Sequence, residues 1–346
     1  YAFLLASTGK PAEGISILEK ARRENQQDKT KSVYVDTALA NIYQQQNDFD
    51  QAAYYLKSAL DKGAHKNLEK SLLNVYEKSG DFQQALTLIN SKLKEMPNDK
   101  TLQLLKVYYQ SVIKQIPDKS LLASLQQSPE ANKHWLLHKT LGNIAMNNSK
   151  FDEAITHYNN LELSFPREQH MGLLINAATA AQKPKLIIDN LENSKYLDSS
   201  FALNMALANA YLATQNTEKA YSIYQQVNDK FPVNFVALNN LAYLAKQKGD
   251  IKTALTMAKK AYELEPENPG VLDTYASVLA ENDQHDKALE LYDEALYRAP
   301  KNFEISLNKI KSLKALGLNS QAQSLAKSLD KLSSTQQQQL NEVLMQ

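Results

Sequence analysis

The chain has no cysteine among its 346 residues. That excludes a disulfide framework, a thiolate zinc site, an iron–sulfur cluster and a cysteine nucleophile. Glycine is scarce at nine residues, few for an α/β enzyme, whose turns and phosphate loops depend on it. Neither sign of charge is in excess: 39 Lys and Arg against 38 Asp and Glu leave +1. Nothing global therefore draws the chain to nucleic acid or to an anionic membrane. No uncharged apolar run reaches the roughly 20 residues of a membrane-spanning helix. Neither a Gly-rich phosphate loop nor a Gly-x-Ser-x-Gly elbow occurs.

Side-chain amides, by contrast, are abundant. Asn at 29 and Gln at 27 fill 56 of 346 positions. With 43% hydrophobic residues, enough for a core, this many amides point to a solvated helical surface rather than to one compact enzyme core. The absent cysteines fit an oxidising compartment such as the periplasm, with the cytoplasm as the alternative. The chain opens at Tyr1 rather than Met, and its start is too short for a signal peptide. We expect a mature fragment of a longer protein.

A repeat organises the sequence. Ala220, Ala254, Ala288 and Ala322 follow one another at intervals of 34. Ala52 and Ala85 are 33 apart, and Ala154 lies 69 further on. Ile187 stands midway between Ala154 and Ala220, and Gly14 occupies the slot in a first, partial unit. A turn precedes the alanine, as in Ser79-Gly80-Asp81-Phe82 and Lys248-Gly249-Asp250-Ile251. A large residue follows four places on (Leu56, Ile89, Tyr158, Tyr224, Tyr292), and a proline closes many units (Pro97, Pro166, Pro232, Pro266, Pro300). A mostly small residue sits twelve places before the alanine: Ala40, Gly142, Ala208, Ala242 and Ala276. Apolar residues recur at helical spacing on both sides of the turn, which predicts two amphipathic helices of about 14 residues per unit. Small residues let the two backbones approach. Gly249 suits a left-handed helix end, Asp250 caps the next helix, and the residue before each proline leaves the helical region. One hairpin cannot bury its own stripe, so the units must stack.

At these residues the chain resembles the tetratricopeptide (TPR) family. The resemblance covers nearly all of 1–330 and is most regular over the four units of 201–330. It weakens at 98–134, where Ile116-Pro117-Asp118 and Ser128-Pro129 break the pattern, and at 168–199, where Lys183-Pro184 replaces the Gly-Asp turn. We read both as degenerate units. Residues 331–346 read as a capping helix over the last apolar edge. The implied fold is all-α, a right-handed TPR superhelix of about nine to ten hairpins. A narrower likeness lies in Leu238-Asn239-Asn240-Leu241-Ala242-Tyr243-Leu244, Ala258 to Pro266, and Pro269 to Tyr275. These segments are similar to the C-terminal units of bacterial PEP-CTERM/exosortase-system TPR lipoproteins. That resemblance implies an envelope protein of the periplasm or outer membrane, working with exopolysaccharide or surface-protein export machinery. Any membrane attachment would come through a lipidated cysteine upstream of Tyr1.

In a TPR stack the first helices line the concave face. One place after the small residue, the column there reads Asn41, Asn74, Asn143, Asn176 and Asn209, with Tyr108 or Tyr109 in the degenerate unit, then Tyr243, Ser277 and Lys311. Asn both donates and accepts, so such a ladder can grip the backbone of an extended peptide; equally, Asn suits any crowded, solvated face. We expect Asn74, Asn143 and Asn176 to contact a bound chain together. Lys70 and Lys139 stand one turn before Asn74 and Asn143 and resemble half of the TPR carboxylate clamp. Two units after Lys139 the matching places hold Ala202 and Ala206, so the clamp is incomplete. Tyr34, Tyr108, Tyr109 and Tyr243 are candidate groove aromatics. Trp135 reads as core or groove edge.

His134 and His138 share an i, i+4 spacing without a third ligand nearby, so no metal is expected, and no cofactor either. Asp152-Glu153 and Glu265/Glu267 fall where helix capping and solvation explain them. The sequence thus reads as a non-catalytic scaffold whose partner is a protein or extended peptide and not a nucleic acid. A polysaccharide-guiding module and the regulatory arm of an enzyme outside this chain are the alternatives.

Overall fold

The computed structural model describes residues 2–64 and 67–345, apart from the Phe3 side chain. Among the described residues it is all helical, with 22 α-helices, one 3-10 turn and no strand. The helices follow each other as antiparallel hairpins: α1 (Ala2–Ser7) and α2 (Pro11–Glu24), α3 (Lys29–Gln45) and α4 (Phe49–Asp61), α5 (Asn67–Ser79) and α6 (Phe82–Glu95). Next come α7 (Lys100–Val112) with α8 (Lys119–Gln127) and α9 (Pro129–Asn132), then α10 (Trp135–Asn147) and α11 (Phe151–Ser164). The chain continues with α12 (Glu168–Ala180), α13 (Pro184–Leu191), α14 (Phe201–Ala213), α15 (Thr217–Lys230), α16 (Phe235–Gln247) and α17 (Ile251–Leu264). It closes with α18 (Pro269–Glu281), α19 (His285–Arg298), α20 (Phe303–Ala315), α21 (Asn319–Lys327) and α22 (Ser334–Met345). This is an α-solenoid. Its contacts divide it into two compact units, 1–177 and 178–346.

The irregular stretches have a local cause. At 98–134 the second helix is split at Ser128-Pro129 into α8 and the single turn α9, because Ser128 is extended (ψ 120°) ahead of the proline. At 168–199 the second helix shrinks to the eight residues of α13, followed by the 3-10 turn Lys195–Asp198. Elsewhere the closing prolines act as the sequence implies. Met96, Phe165, Phe231, Glu265 and Ala299, each just before a proline, end their helices with ψ between 66° and 74°. Some of the asparagines are helix caps: Asn216, Asn234, Asn268 and Asn302 each accept a backbone N–H at the start of a helix.

Every hairpin turn needs one residue in the left-handed region, and most of these are not glycine. Gly80, Gly249 and Gly317 take it, but so do Asn47, Lys114, Ser149, Gln182, Gln215 and Asp283, with φ between 55° and 63°. A side chain there costs about 1–2 kcal/mol, offset in part by the lower entropy of a non-glycine unfolded chain. Ser149→Gly and Gln215→Gly should each raise stability by about 0.5–1 kcal/mol, seen as a higher urea midpoint with unchanged helicity. A fall in midpoint would refute this.

In unit 1, Ala52, Leu56, Ala85 and Ile89 pack with Leu39, Ala40, Val75 and Tyr109. Among the described residues of this unit, one charge is buried. Asp36 on α3 has no exposed surface. It accepts from Arg22 Nε at 2.7 Å, Ser58 Oγ at 2.7 Å and Lys62 Nζ at 2.5 Å. Lys62 also donates to Ser32 Oγ at 2.7 Å, and the Arg22 guanidinium lies 5.2 Å from the Tyr55 ring centre. This knot ties α2, α3 and α4 together. In unit 2 the last helix, α22, buries Leu340 and Val343 against Phe303, Leu307, Ile310 and Leu313 of α20. Lys314 Nζ donates to the Val343 and Leu344 carbonyls near its C-terminus, at 3.1 and 2.8 Å.

Candidate functional site

The first helices set out the asparagine column at equivalent positions, and the column splits into two kinds. In unit 1, Asn41 on α3, Asn74 on α5 and Asn176 on α12 are exposed, and none of their amides is engaged among the described residues. Lys70, one turn before Asn74, is exposed as well. Asn143 on α10 is different. It is half-buried; its Oδ1 accepts from the Tyr158 hydroxyl at 2.8 Å, and its Nδ2 donates to Ser111 Oγ at 3.4 Å. Next to it, Asn147 Nδ2 donates to the Ser111 carbonyl at 2.9 Å. Asn209, in unit 2, is likewise held, by the Tyr224 hydroxyl at 2.5 Å.

The reason lies in the second helix. Tyr158 and Tyr224 each follow the repeat alanine by four places, and their hydroxyls reach back to the column asparagine. In the units of Asn41, Asn74 and Asn176 that place holds Leu56, Ile89 and Leu191, which cannot donate. Burial raises the pKa of Tyr224 to about 12, and burial also raises that of Tyr158; both stay protonated donors. Of the three asparagines expected to contact a bound chain together, Asn143 is thus engaged by Tyr158 and Ser111, whereas Asn74 and Asn176 are exposed.

Other candidates sort in the same way. Lys139 lies 4.9 Å from the Tyr108 ring centre, so cation and aromatic face satisfy each other. The half-clamp of Lys139 and Asn143 is thus used internally, whereas Lys70 and Asn74 remain open. Tyr108 takes the column place in the degenerate unit. Tyr109 does not face the groove: it is fully buried, its hydroxyl donating to Glu77 Oε1 at 2.7 Å. Tyr34 is exposed. Tyr243, in unit 2, is 44% exposed and accepts from Gln247 Nε2 at 2.7 Å. Trp135 is half-buried among His134, Phe165 and His170, at centroid distances of 5.4 to 5.9 Å.

Unit 2 also holds a cluster that the column concealed. Ser277 and Lys311 look like breaks in the asparagine pattern, yet with Lys246, Glu281, His285 and Asn308 they line a cavity of about 330 Å³. Lys246 Nζ donates to Ser277 Oγ at 3.1 Å, and Asn308 Nδ2 donates to Asp273 Oδ1 at 3.1 Å. Burial lowers the pKa of Lys246 and raises that of Asp273. The signal available in the sequence was polar residues one turn away from the column, on the same helix face.

His134 and His138 do not converge. His134 Nδ1 accepts the Leu136 N–H at 3.2 Å and caps α10, while His138 pairs with His157 of α11. Burial lowers the pKa of His138 and His157, the latter also through its neighbour His138. Burial lowers that of His170 too, against the opposing bond from its Nδ1 to the Phe165 carbonyl at 2.8 Å. The unfolded chain therefore binds more protons than the folded one below the ordinary histidine range near 6.5. Stability should be full above that range and fall as the pH drops from about 7 towards 5. Thermal unfolding across that interval tests this; the slope should shrink in His138→Gln and His157→Gln, and a flat wild-type profile would refute it.

Family models described as tetratricopeptide repeat match residues 37–71, 202–232 and 245–305. Those three stretches match as tetratricopeptide repeats. No curated protein matches the sequence. Among solved structures it is similar to MamA, with 18% identity, 48% of this chain and 92% of that one covered, and a TM-score of 0.43. It is also similar to YrrB, described as a TPR protein with an unusual peptide-binding site, with 15% identity, 53% and 95% covered, and a TM-score of 0.43.

Proposed function

We propose that this TPR solenoid is a non-catalytic scaffold that binds an extended protein segment along the first-helix face of unit 1. The observation that carries the reading is the contrast within the column. Asn41, Asn74 and Asn176 present exposed amides without a partner among the described residues, beside an exposed Lys70. Each free carboxamide can donate to a peptide carbonyl and accept a peptide N–H, which suits recognition of backbone rather than of one side-chain sequence. Lys70 adds a cation for an acidic residue of the partner.

The setting we propose is the bacterial envelope, in exopolysaccharide or surface-protein export. It rests on the resemblance of 238–275 to the exosortase-system lipoproteins. The sugar-guiding alternative is less favoured at Tyr108, because Lys139 occupies that aromatic face.

The test is a crosslinking pull-down from the native host with wild type and the triple variant Asn41→Ala, Asn74→Ala, Asn176→Ala. The triple variant should keep its thermal midpoint and lose its protein partners by tenfold or more, roughly 1.4 kcal/mol in binding. Partners retained at wild-type yield would sink the groove assignment.

A further inference from the structure

The cavity of about 330 Å³ in unit 2 is walled by charges of both signs. Lys246 comes from α16, Glu281 from α18, and Asn308 and Lys311 from α20. Asp273 of α18 accepts the Asn308 amide at 3.1 Å. Lys246 and Asp273 are half-buried, yet each is bonded to a neutral group: Lys246 to Ser277 Oγ at 3.1 Å, Asp273 to Asn308. Elsewhere in this unit opposite charges close directly. Lys248 reaches Glu218 at 2.7 Å and Arg298 reaches Glu267 at 3.0 Å, and Lys219–Glu192 and Lys309–Asp293 are paired as well. Among the described residues Lys246, Lys311, Asp273 and Glu281 share one pocket region and form no such pair.

We propose that this cavity binds a free α-amino acid, with Lys246 and Lys311 taking its carboxylate and Glu281 and the Asn308 Oδ1 taking its ammonium. The walls select a zwitterion. A cation and an anion that line one cavity without closing on each other are each short of a partner, and a half-buried charge is costly until it has one. A single small molecule carrying both charges supplies both. Lys246 has three N–H donors and spends one on Ser277. Ser277 is used in turn, its hydroxyl donating to the Thr274 carbonyl at 2.9 Å, so the remaining Lys246 donors are the ones left for a ligand. The Asn308 Nδ2 is spent on Asp273, which leaves its Oδ1 to accept. Asp273 is thus a positioning residue. Burial pushes the pKa of Lys246 down against the pull of Glu281 and Asp273; a bound carboxylate would restore the balance.

Size agrees with this class. The cavity stands at the lower end of the roughly 300–1,000 Å³ of small-molecule sites, which is room for one small solute. The rest of the wall is small or polar: Ala280, and His285, whose Nδ1 lies 3.4 Å from Ser312 Oγ. A short side chain ending in a hydroxyl or carboxamide matches that wall. The walls come from α16, α18 and α20, the first helices of three successive hairpins, so a bound amino acid would tie the three together. This site is separate from the unit 1 groove and does not rest on it.

The whole chain is titrated with L-serine and L-asparagine by calorimetry, and with N-acetyl-L-serine and L-serine amide, each lacking one charge, by ligand-observed NMR. L-serine or L-asparagine should bind at one site per chain with a Kd of about 1 mM or tighter, and both blocked forms at least tenfold more weakly. Glu281→Gln and Asp273→Ala should each weaken the free amino acid at least tenfold. They should leave N-acetyl-L-serine within twofold, since it has no ammonium to meet them; a merely structural loss would weaken both probes. Lys246→Gln should weaken both, and Lys70→Gln in unit 1 neither. Failure of both free amino acids to bind at about 1 mM, or a blocked form binding within tenfold of its parent, would overturn the site. Should Lys246→Gln or Asp273→Ala lose helicity, the exposed Glu281→Gln decides: a tenfold loss supports the site, and a smaller one overturns it.

Discussion

Asp36→Ala should cost about 3 kcal/mol, the lower part of the 3–5 kcal/mol expected when one member of a buried charge group is removed. The carboxylate is fully buried and accepts from Arg22, Ser58 and Lys62 at 2.5–2.7 Å. Removing it leaves two cations converging on a vacated site. The cost stays near the lower figure because the Arg22 and Lys62 side chains are 29% and 28% exposed and can turn towards water. Asp36→Asn keeps the shape but not the charge, and should lose about 2 kcal/mol through weaker bonds to both cations. In a repeat array each hairpin is stabilised mainly by its neighbours, so the loss should appear locally. Hydrogen exchange in α2, α3 and α4 should accelerate roughly a hundredfold, while protection in α16 to α20 stays the same. Uniform loss across the chain, or a local change of under twofold, would show that the knot does not hold the first hairpins together.

Much of the fold could be read from the sequence because its physics is local and repeated. A small residue, an alanine twelve places on and a closing proline each recur often enough to set the phase, and the proline-preceding residues all leave the helix as steric crowding requires. The site was only half legible. A column position depends on the first helix alone, and the five asparagines share it. Whether the amide is free depends on the residue fifteen places later: tyrosine at 158 and 224, but leucine or isoleucine at 56, 89 and 191. That is a pair property, invisible to a reading that follows one column. The Asp36 knot was hidden for a similar reason. Arg22, Asp36, Ser58 and Lys62 come from three helices, and each alone reads as a solvated polar residue. The left-handed turns at Ser149, Gln182 and Gln215 were masked because the position, not the residue type, recurs.

Tyr158→Ala should lose about 3–5 kcal/mol, as for other large aromatic side chains cut from a core. Tyr158 is 2% exposed, and its ring lies directly on Gly142: a Cβ built there would come within 2.3 Å of the ring. Gly142→Ala gains about 1 kcal/mol of helix propensity, but overpacking costs about 1–3 kcal/mol or more, so a net loss of roughly 1–2 kcal/mol is expected. The two changes share one space. With Tyr158 already reduced to alanine, the methyl group of Gly142→Ala enters room the ring has left, and the double variant should be more stable than the sum of the singles by at least about 1 kcal/mol. Additive losses would mean that ring and glycine do not meet. Tyr158→Phe separates packing from the hydroxyl. It should cost only about 1 kcal/mol, because the half-buried Asn143 can turn to solvent. That variant also bears on binding, since it releases the Asn143 amide into the column of free asparagines. Partner affinity should then hold or rise, whereas a weaker affinity would mean that the fixed orientation of Asn143 is itself part of the recognition surface.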